Sequence, residues 1–303
     1  MKSGMSLLTG MVAVFALSAC APAQNPSRNV AAVQDSSDSI IGGSEVASSD
    51  VVAQSVVGIY IMSEQLGIQN GEVVKAKSSS ICTGTLISTN VVLTAAHCVV
   101  EGGQMILFFG KSLDAAAANQ KSLVRGVSKV VYHKGFNLGK GKDVNDIALI
   151  QFEGGLPAGF KAASILTNAA SLKSGATVVL AGYGVTTMEG DEDTDQGSGV
   201  LRQVPMKVDN AAFAPSEILF DQRDNKGACH GDSGGPAFTK SGTRLVVVGV
   251  TSRGYDADET LSSEAVKCTR YSIYTNVGAQ STWIQKTALP ALRALKAGDM
   301  KGI

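Results

Sequence analysis

The sequence carries no excess of either charge: 26 Lys and Arg are matched by 26 Asp and Glu. No global field therefore recommends a nucleic acid or an anionic membrane as partner. Charged residues are sparse, 17% against 44% hydrophobic, which excludes a mainly disordered chain and leaves apolar material for one large domain or two half-domains. A comfortable membrane span is missing too. The N-terminal apolar stretch from Met5 to Leu17, behind Lys2, is too short for one and has the pattern of a signal peptide. Long helical periodicity is absent until the end, where Trp283, Ile284, Ala288, Ala291, Leu292 and Leu295 recur at near-helical spacing and Pro290 is expected to kink or divide the segment.

What is present between these limits is a series of short β-rich runs: Val51 to Ile61, Ile81 to Ser88, Met105 to Gly110, Val124 to His133, Ile147 to Phe152, Ala176 to Gly182, Val204 to Val208, Leu245 to Ser252 and Tyr271 to Val277. Gly, Asn, Ser and Asp clusters separate them, which predicts an all-β sandwich or barrel. Residues 21 to 39 are rich in Ala, Ser, Asn, Gln, Asp and Pro and read as a flexible tether. Five acids gather in Glu189-Gly190-Asp191-Glu192-Asp193-Thr194-Asp195, but without the EF-hand spacing or its terminal glutamate, so a solvated loop is expected and no metal site is assigned.

Three motifs carry chemistry. Cys229-His230-Gly231-Asp232-Ser233-Gly234-Gly235-Pro236 sets Ser233 in a glycine-rich turn, and Thr94-Ala95-Ala96-His97-Cys98 and Asp146-Ile147-Ala148-Leu149 precede it. A serine hydroxyl is a weak nucleophile at neutral pH and needs a base to take its proton. His97 supplies the base, and Asp146 the carboxylate that fixes its tautomer. Singly, each has a bland explanation in a core histidine, a solvated acid or a turn. Their joint occurrence in the order His, Asp, Ser is the chymotrypsin-type arrangement. His133 and His230 are weaker candidates for the base, since neither stands in an Ala-Ala-His-Cys context.

From about Ile40 to about Ile284 the chain resembles the trypsin/chymotrypsin-like serine endopeptidases. The resemblance implies two antiparallel six-stranded β-barrels with a C-terminal helix: barrel 1 at about 40–160, barrel 2 at about 165–280, the helix at about 281–297, and the junction between roughly Glu153 and Lys173. It implies an active site in the cleft, with His97 and Asp146 from the first barrel and Ser233 from the second. The N–H groups of Gly231 and Ser233 would form the oxyanion hole, and Asp232 would pair with a new α-amino group at Ile40 after cleavage of a zymogen. Disulfides Cys82–Cys98 and Cys229–Cys268 are implied by the family's positions. Gly227, Ser252, Gly254 and Ser272 would line the specificity pocket.

Departures from the family pattern sharpen the expectation. Gly227 stands where trypsins carry an aspartate, so a non-tryptic, uncharged pocket for medium or large apolar side chains is expected. Ser252-Arg253-Gly254 should pair with the substrate backbone. Arg253 replaces the family's usual tryptophan, and with Lys226 and His230 it could favour acidic substrate groups, although solvated surface charge is the preferred reading. Ser39, not Lys or Arg, precedes Ile40, which argues against trypsin-like activation.

The number of cysteines is odd at 5, and Cys20 is the one left over. Leu17-Ser18-Ala19-Cys20 resembles a bacterial lipobox, which would lipidate Cys20 after removal of residues 1–19; the alternative is ordinary cleavage near Ala19, Ala21 or Ala23. Disulfides and export agree, since both bridges persist in an oxidising compartment. The expectation is a bacterial-type exported monomer, periplasmic, outer-membrane or extracellular, acting on proteins or peptides. No cofactor, no nucleic acid and no membrane contact beyond the lipid anchor are expected.

Overall fold

The computed structural model describes residues 40–69, 72–100, 102–186, 197–256 and 268–303. The signal, the tether, Cys20 and the acidic run at 189–195 lie outside the described residues.

After β1 (Ser44–Glu45) the chain builds β2 (Val56–Gln69), β3 (Glu72–Leu86), β4 (Val91–Thr94), β5 (Gln104–Phe108), β6 (Val124–Tyr132) and β7 (Ala148–Phe152). These pair in the order β6-β5-β2-β3-β4-β7, and a β6–β7 pairing closes the ring into a six-stranded barrel. Its filling comes from inward β-branched and aromatic side chains such as Val57, Ile59, Val92, Phe108 and Ile150, all fully buried. Such residues suit a pleated surface packed on its inner face.

The second half follows β8 (Ser164–Ile165) and comprises β9 (Thr177–Gly182), β10 (Arg202–Lys207), β11 (Asn210–Ala214), β12 (Glu217–Asp221), β13 (Pro236–Ser241), β14 (Arg244–Tyr255) and β15 (Tyr271–Asn276). Its main strands run β10-β9-β13-β14-β15-β12, with β11 on the edge. Among the described residues no ladder joins β10 to β12, so this half is a curved sheet where the first is a closed ring. It has its own core around Leu180, Val204, Ile218, Phe220 and Tyr274. Each end of the chain crosses over: β1 pairs with β10, while β16 (Met300–Gly302) adds in parallel to β6.

The C-terminal helix begins at Val277, four residues earlier than the resemblance implies, because Asn276 caps it through the Ala279 N–H. Pro290 divides it as expected. Lacking an N–H, Pro290 cannot continue the α ladder, and the preceding turn Ile284–Ala288 is a π-helix in which the Leu289 N–H reaches back to the Ile284 carbonyl. Among the described residues, no helix is long and apolar enough to cross a membrane.

Candidate active site

His97 opens a short helix, His97–Val100, three residues beyond the end of β4. The Cys82–Cys98 disulfide fastens that helix to β3. Asp146 precedes β7 and is fully buried. One carboxylate oxygen, Oδ1, accepts the His97 backbone N–H at 3.0 Å; the other, Oδ2, lies 2.7 Å from the His97 ring Nδ1. A carboxylate only accepts, so in the neutral ring the proton sits on Nδ1 facing Asp146, while Nε2 lies 3.7 Å from Cys98 Sγ. The Ser252 hydroxyl donates to Oδ2 at 2.7 Å, and Thr275 Oγ1 donates to the Asp146 carbonyl at 2.8 Å. Both donors come from the second half, on β14 and β15, so the acid is held across the cleft.

Ser233 lies in the turn that leads into β13. Its carbonyl accepts the Thr83 N–H from β3 at 2.8 Å, and the next residue, Gly234, donates its N–H to Thr251 on β14 at 2.9 Å. The turn is thereby pinned to both halves. Gly231 adopts φ +92°, and any Cβ there would meet Gly184 Cα at 2.7 Å, so only glycine satisfies both the backbone angle and the space. His97 and Ser233 line one cavity of about 310 Å³.

Asp232 points the other way, into the protein. It is 1% exposed and accepts the N–H groups of Gly184 and Cys229, each at 2.9 Å. Burial pushes its carboxyl up to about 7, against the opposing pull of these bonds and of the nearby Arg202 charge. Ile40 is fully buried in the core of the same half at φ +51°, a region that a β-branched residue seldom occupies, and Ile41 bridges to Gly227.

The trypsin family model matches residues 62–284. The chain belongs to the trypsin family. Serine protease SP24D of Anopheles gambiae is 28% identical over 264 residues, covering 84% of this chain and 89% of that protein. Kallikrein 1-related peptidase b8 of Mus musculus is 28% identical over 225 residues, covering 68% and 80%. The solved structure of HL collagenase shares the fold, with a TM-score of 0.59 at 20% identity over 82% of this chain and 97% of that one. As a trypsin-family protein the chain is a serine-type endopeptidase, and its His97–Asp146 pair is consistent with the family's catalytic triad.

In this trypsin-family chain the cavity wall beyond Ser233 includes Ala228, Cys229, Ser252, Arg253, Gly254, Cys268 and Ser272, with the Cys229–Cys268 disulfide joining the two sides. Gly227 is not on that wall. The side chain of Gln222 occupies the space beside it, and the Gly227 N–H is spent on the Ile41 carbonyl. Ser252 lines the cavity, and its hydroxyl serves Asp146.

Two residues escaped the sequence reading. Gln222 is one; Glu217 is the other. Buried to 1% exposure, Glu217 Oε1 accepts from Arg253 Nη1 at 2.9 Å and from the Val144 N–H at 3.2 Å, two residues before Asp146. Arg253 Nη2 also donates to the Gly141 carbonyl at 2.5 Å. The Arg253 charge is therefore matched inside the protein by Glu217. The only sequence signal was an acid at the head of the apolar run Glu217-Ile218-Leu219-Phe220, where a buried strand would have to carry it inward.

Of the other charged candidates, His230 lines the catalytic cavity, while Lys226 faces a separate surface cavity with Asp209, Asp221 and Asp224. His133 stands outside the site: its Nδ1 accepts the Gly135 N–H at 3.1 Å and its ring packs 5.2 Å from that of Trp283. Burial and the charges of Lys134 and Lys140 hold its pKa below the ordinary histidine value. The two clusters with mixed His and Cys ligands, around His97 and His230, contain only cysteines engaged in disulfides, whose sulfurs are not thiolate ligands.

Proposed function

We propose that this trypsin-family endopeptidase cleaves peptide bonds through an acyl-enzyme on Ser233. The observation that carries the reading is the buried Asp146 carboxylate 2.7 Å from His97 Nδ1, in a cavity that His97 shares with Ser233. His97 Nε2 takes the Ser233 Oγ proton as the oxygen attacks the carbonyl carbon of the scissile bond. Asp146 stabilises the resulting imidazolium without accepting its proton. The N–H groups of Gly231 and Ser233 receive the negative oxygen of the tetrahedral intermediate, each such donor contributing roughly 3 kcal/mol in comparable sites. The imidazolium then protonates the departing amine, and water, activated by the same histidine, releases the acid.

The P1 residue, which precedes the scissile bond, is uncharged and apolar. Ala228, Gly254 and Ser272 offer its side chain small neutral surfaces, and Gly227 gives no carboxylate to a Lys or Arg. The enzyme is made as a zymogen. Cleavage after Ser39 frees an ammonium at Ile40, and Asp232, buried and costly to ionise, gains it as a cationic partner. Residues 1–19 direct export of this bacterial-type protein and Cys20 carries a lipid, so the same cleavage releases the catalytic part from the membrane; the sequence motif Leu17-Ser18-Ala19-Cys20 supports this. Ser233→Ala should reduce turnover by roughly 10⁶-fold while the protein remains folded. Activity retained within tenfold would remove Ser233 from the mechanism.

A further inference from the structure

We propose that Gln222 determines specificity by closing the floor of the P1 pocket and limiting the length of side chain it accepts. The inference rests on the reading that this pocket, between Ser233 and the Cys229–Cys268 disulfide, receives the P1 side chain.

Gln222 follows β12 and is 1% exposed. Its carboxamide joins the two walls of the cavity. Nε2 donates to the Ala228 carbonyl at 3.0 Å on the serine side and to the Cys268 carbonyl at 2.6 Å on the facing side. Oε1 accepts the Ala228 N–H at 2.7 Å. The Gln222 backbone N–H is bound in turn by the Arg270 carbonyl at 2.8 Å. A buried amide with both its ends bonded is held in one orientation, because each lost bond would leave a dry polar group unpaired.

The same side chain fills the room beside Gly227. A Cβ placed on Gly227 would run into the Oε1, Cδ and Cγ atoms of Gln222, so the volume that a residue at 227 would otherwise occupy already belongs to the carboxamide. Ala228, Cys268 and Ser272 bound the cavity, and Gln222 lies behind the first two. A pocket closed there is expected to accept a leucine side chain in preference to an aromatic ring.

The test is the ratio of kcat/KM for a peptide series differing only at P1 (Ala, Val, Leu, Met, Phe and Lys), using the Ile40-initiated enzyme and its Gln222→Ala and Gln222→Asn variants. Wild type should fall from Leu to Phe. Gln222→Ala should raise the Phe:Leu ratio at least about tenfold, the scale on which apolar pockets discriminate small size differences. Gln222→Asn, one methylene shorter with its amide kept, should move the ratio the same way and serves if Gln222→Ala does not fold. An unchanged ratio in the folded variant, or a wild-type preference for Phe over Leu, overturns the proposal. A preference for Lys instead overturns the uncharged-pocket reading beneath it.

Discussion

Asp146 and Asp232 are equally hidden from water, at 0% and 1% exposure, yet their surroundings are built for opposite tasks. Asp146 receives a ring nitrogen able to take a full positive charge, a hydroxyl from the other half of the molecule, and a backbone N–H. Asp232 receives backbone N–H groups from Gly184 and Cys229, with the Arg202 charge nearby, and its burial raises its pKa to about 7. Burial alone therefore does not tell a catalytic acid from a structural one. The partners differ: Asp146 has the His97 ring in reach, and in the proposed activation Asp232 would receive the ammonium of Ile40.

The largest effect that would sharpen this contrast is at Asp146. Asp146→Asn keeps the shape but presents the wrong partner to Nδ1, and kcat should fall by roughly 10⁴-fold, with much less change in KM. A loss of under tenfold would mean that His97 is oriented by something else. Asp232 should matter for activation instead. Ile40-initiated Asp232→Asn should be at least about 10²-fold less active than Ile40-initiated wild type, as expected when an oxyanion donor is displaced.

The same residue gives a pH signature. The folded chain holds the Asp232 proton up to about 7, whereas the ordinary value is 3.8. Between these limits the folded state binds more protons than the unfolded state, so the uncleaved chain loses stability as pH rises from about 4 to about 7. Asp232→Asn should flatten that slope in urea titrations across the range, and an unaltered slope would assign it to other groups. A smaller effect is expected at Glu217. Glu217→Gln leaves the mostly buried Arg253 without its countercharge and should cost about 2 kcal/mol in chemical denaturation. It should also raise KM more than it lowers kcat, because the binding strand shifts before the triad does.

The candidate triad was legible because the chemistry dictates local sequence: a nucleophile needs a glycine-rich turn, here at Gly231 and Gly234, and the candidate base sits beside a cysteine. The succession of β runs was legible for a similar local reason, since alternating branched residues announce a packed strand. Among the strands not anticipated are β4, β11, β12 and β13; β11, Asn210–Ala214, consists largely of small residues, and β12, Glu217–Asp221, has an acid at each end. Gln222, Glu217 and the service of Ser252 to Asp146 stayed hidden for a different reason. Their meaning comes from partners up to 106 positions away, and nothing in the neighbouring residues encodes the encounter. The return of β16 to β6 is of the same kind, a pairing made only after the barrel exists.

Intact-mass measurement after treatment with a serine-directed fluorophosphonate tests the role of Ser233 most directly. Ile40-initiated wild type should gain one phosphonyl group, mapped to Ser233, and lose peptidase activity in step with labelling, while Ser233→Ala and His97→Ala remain unlabelled on the same timescale. A wild-type enzyme that cleaves peptides yet stays unlabelled, or a label that persists in Ser233→Ala, would contradict it.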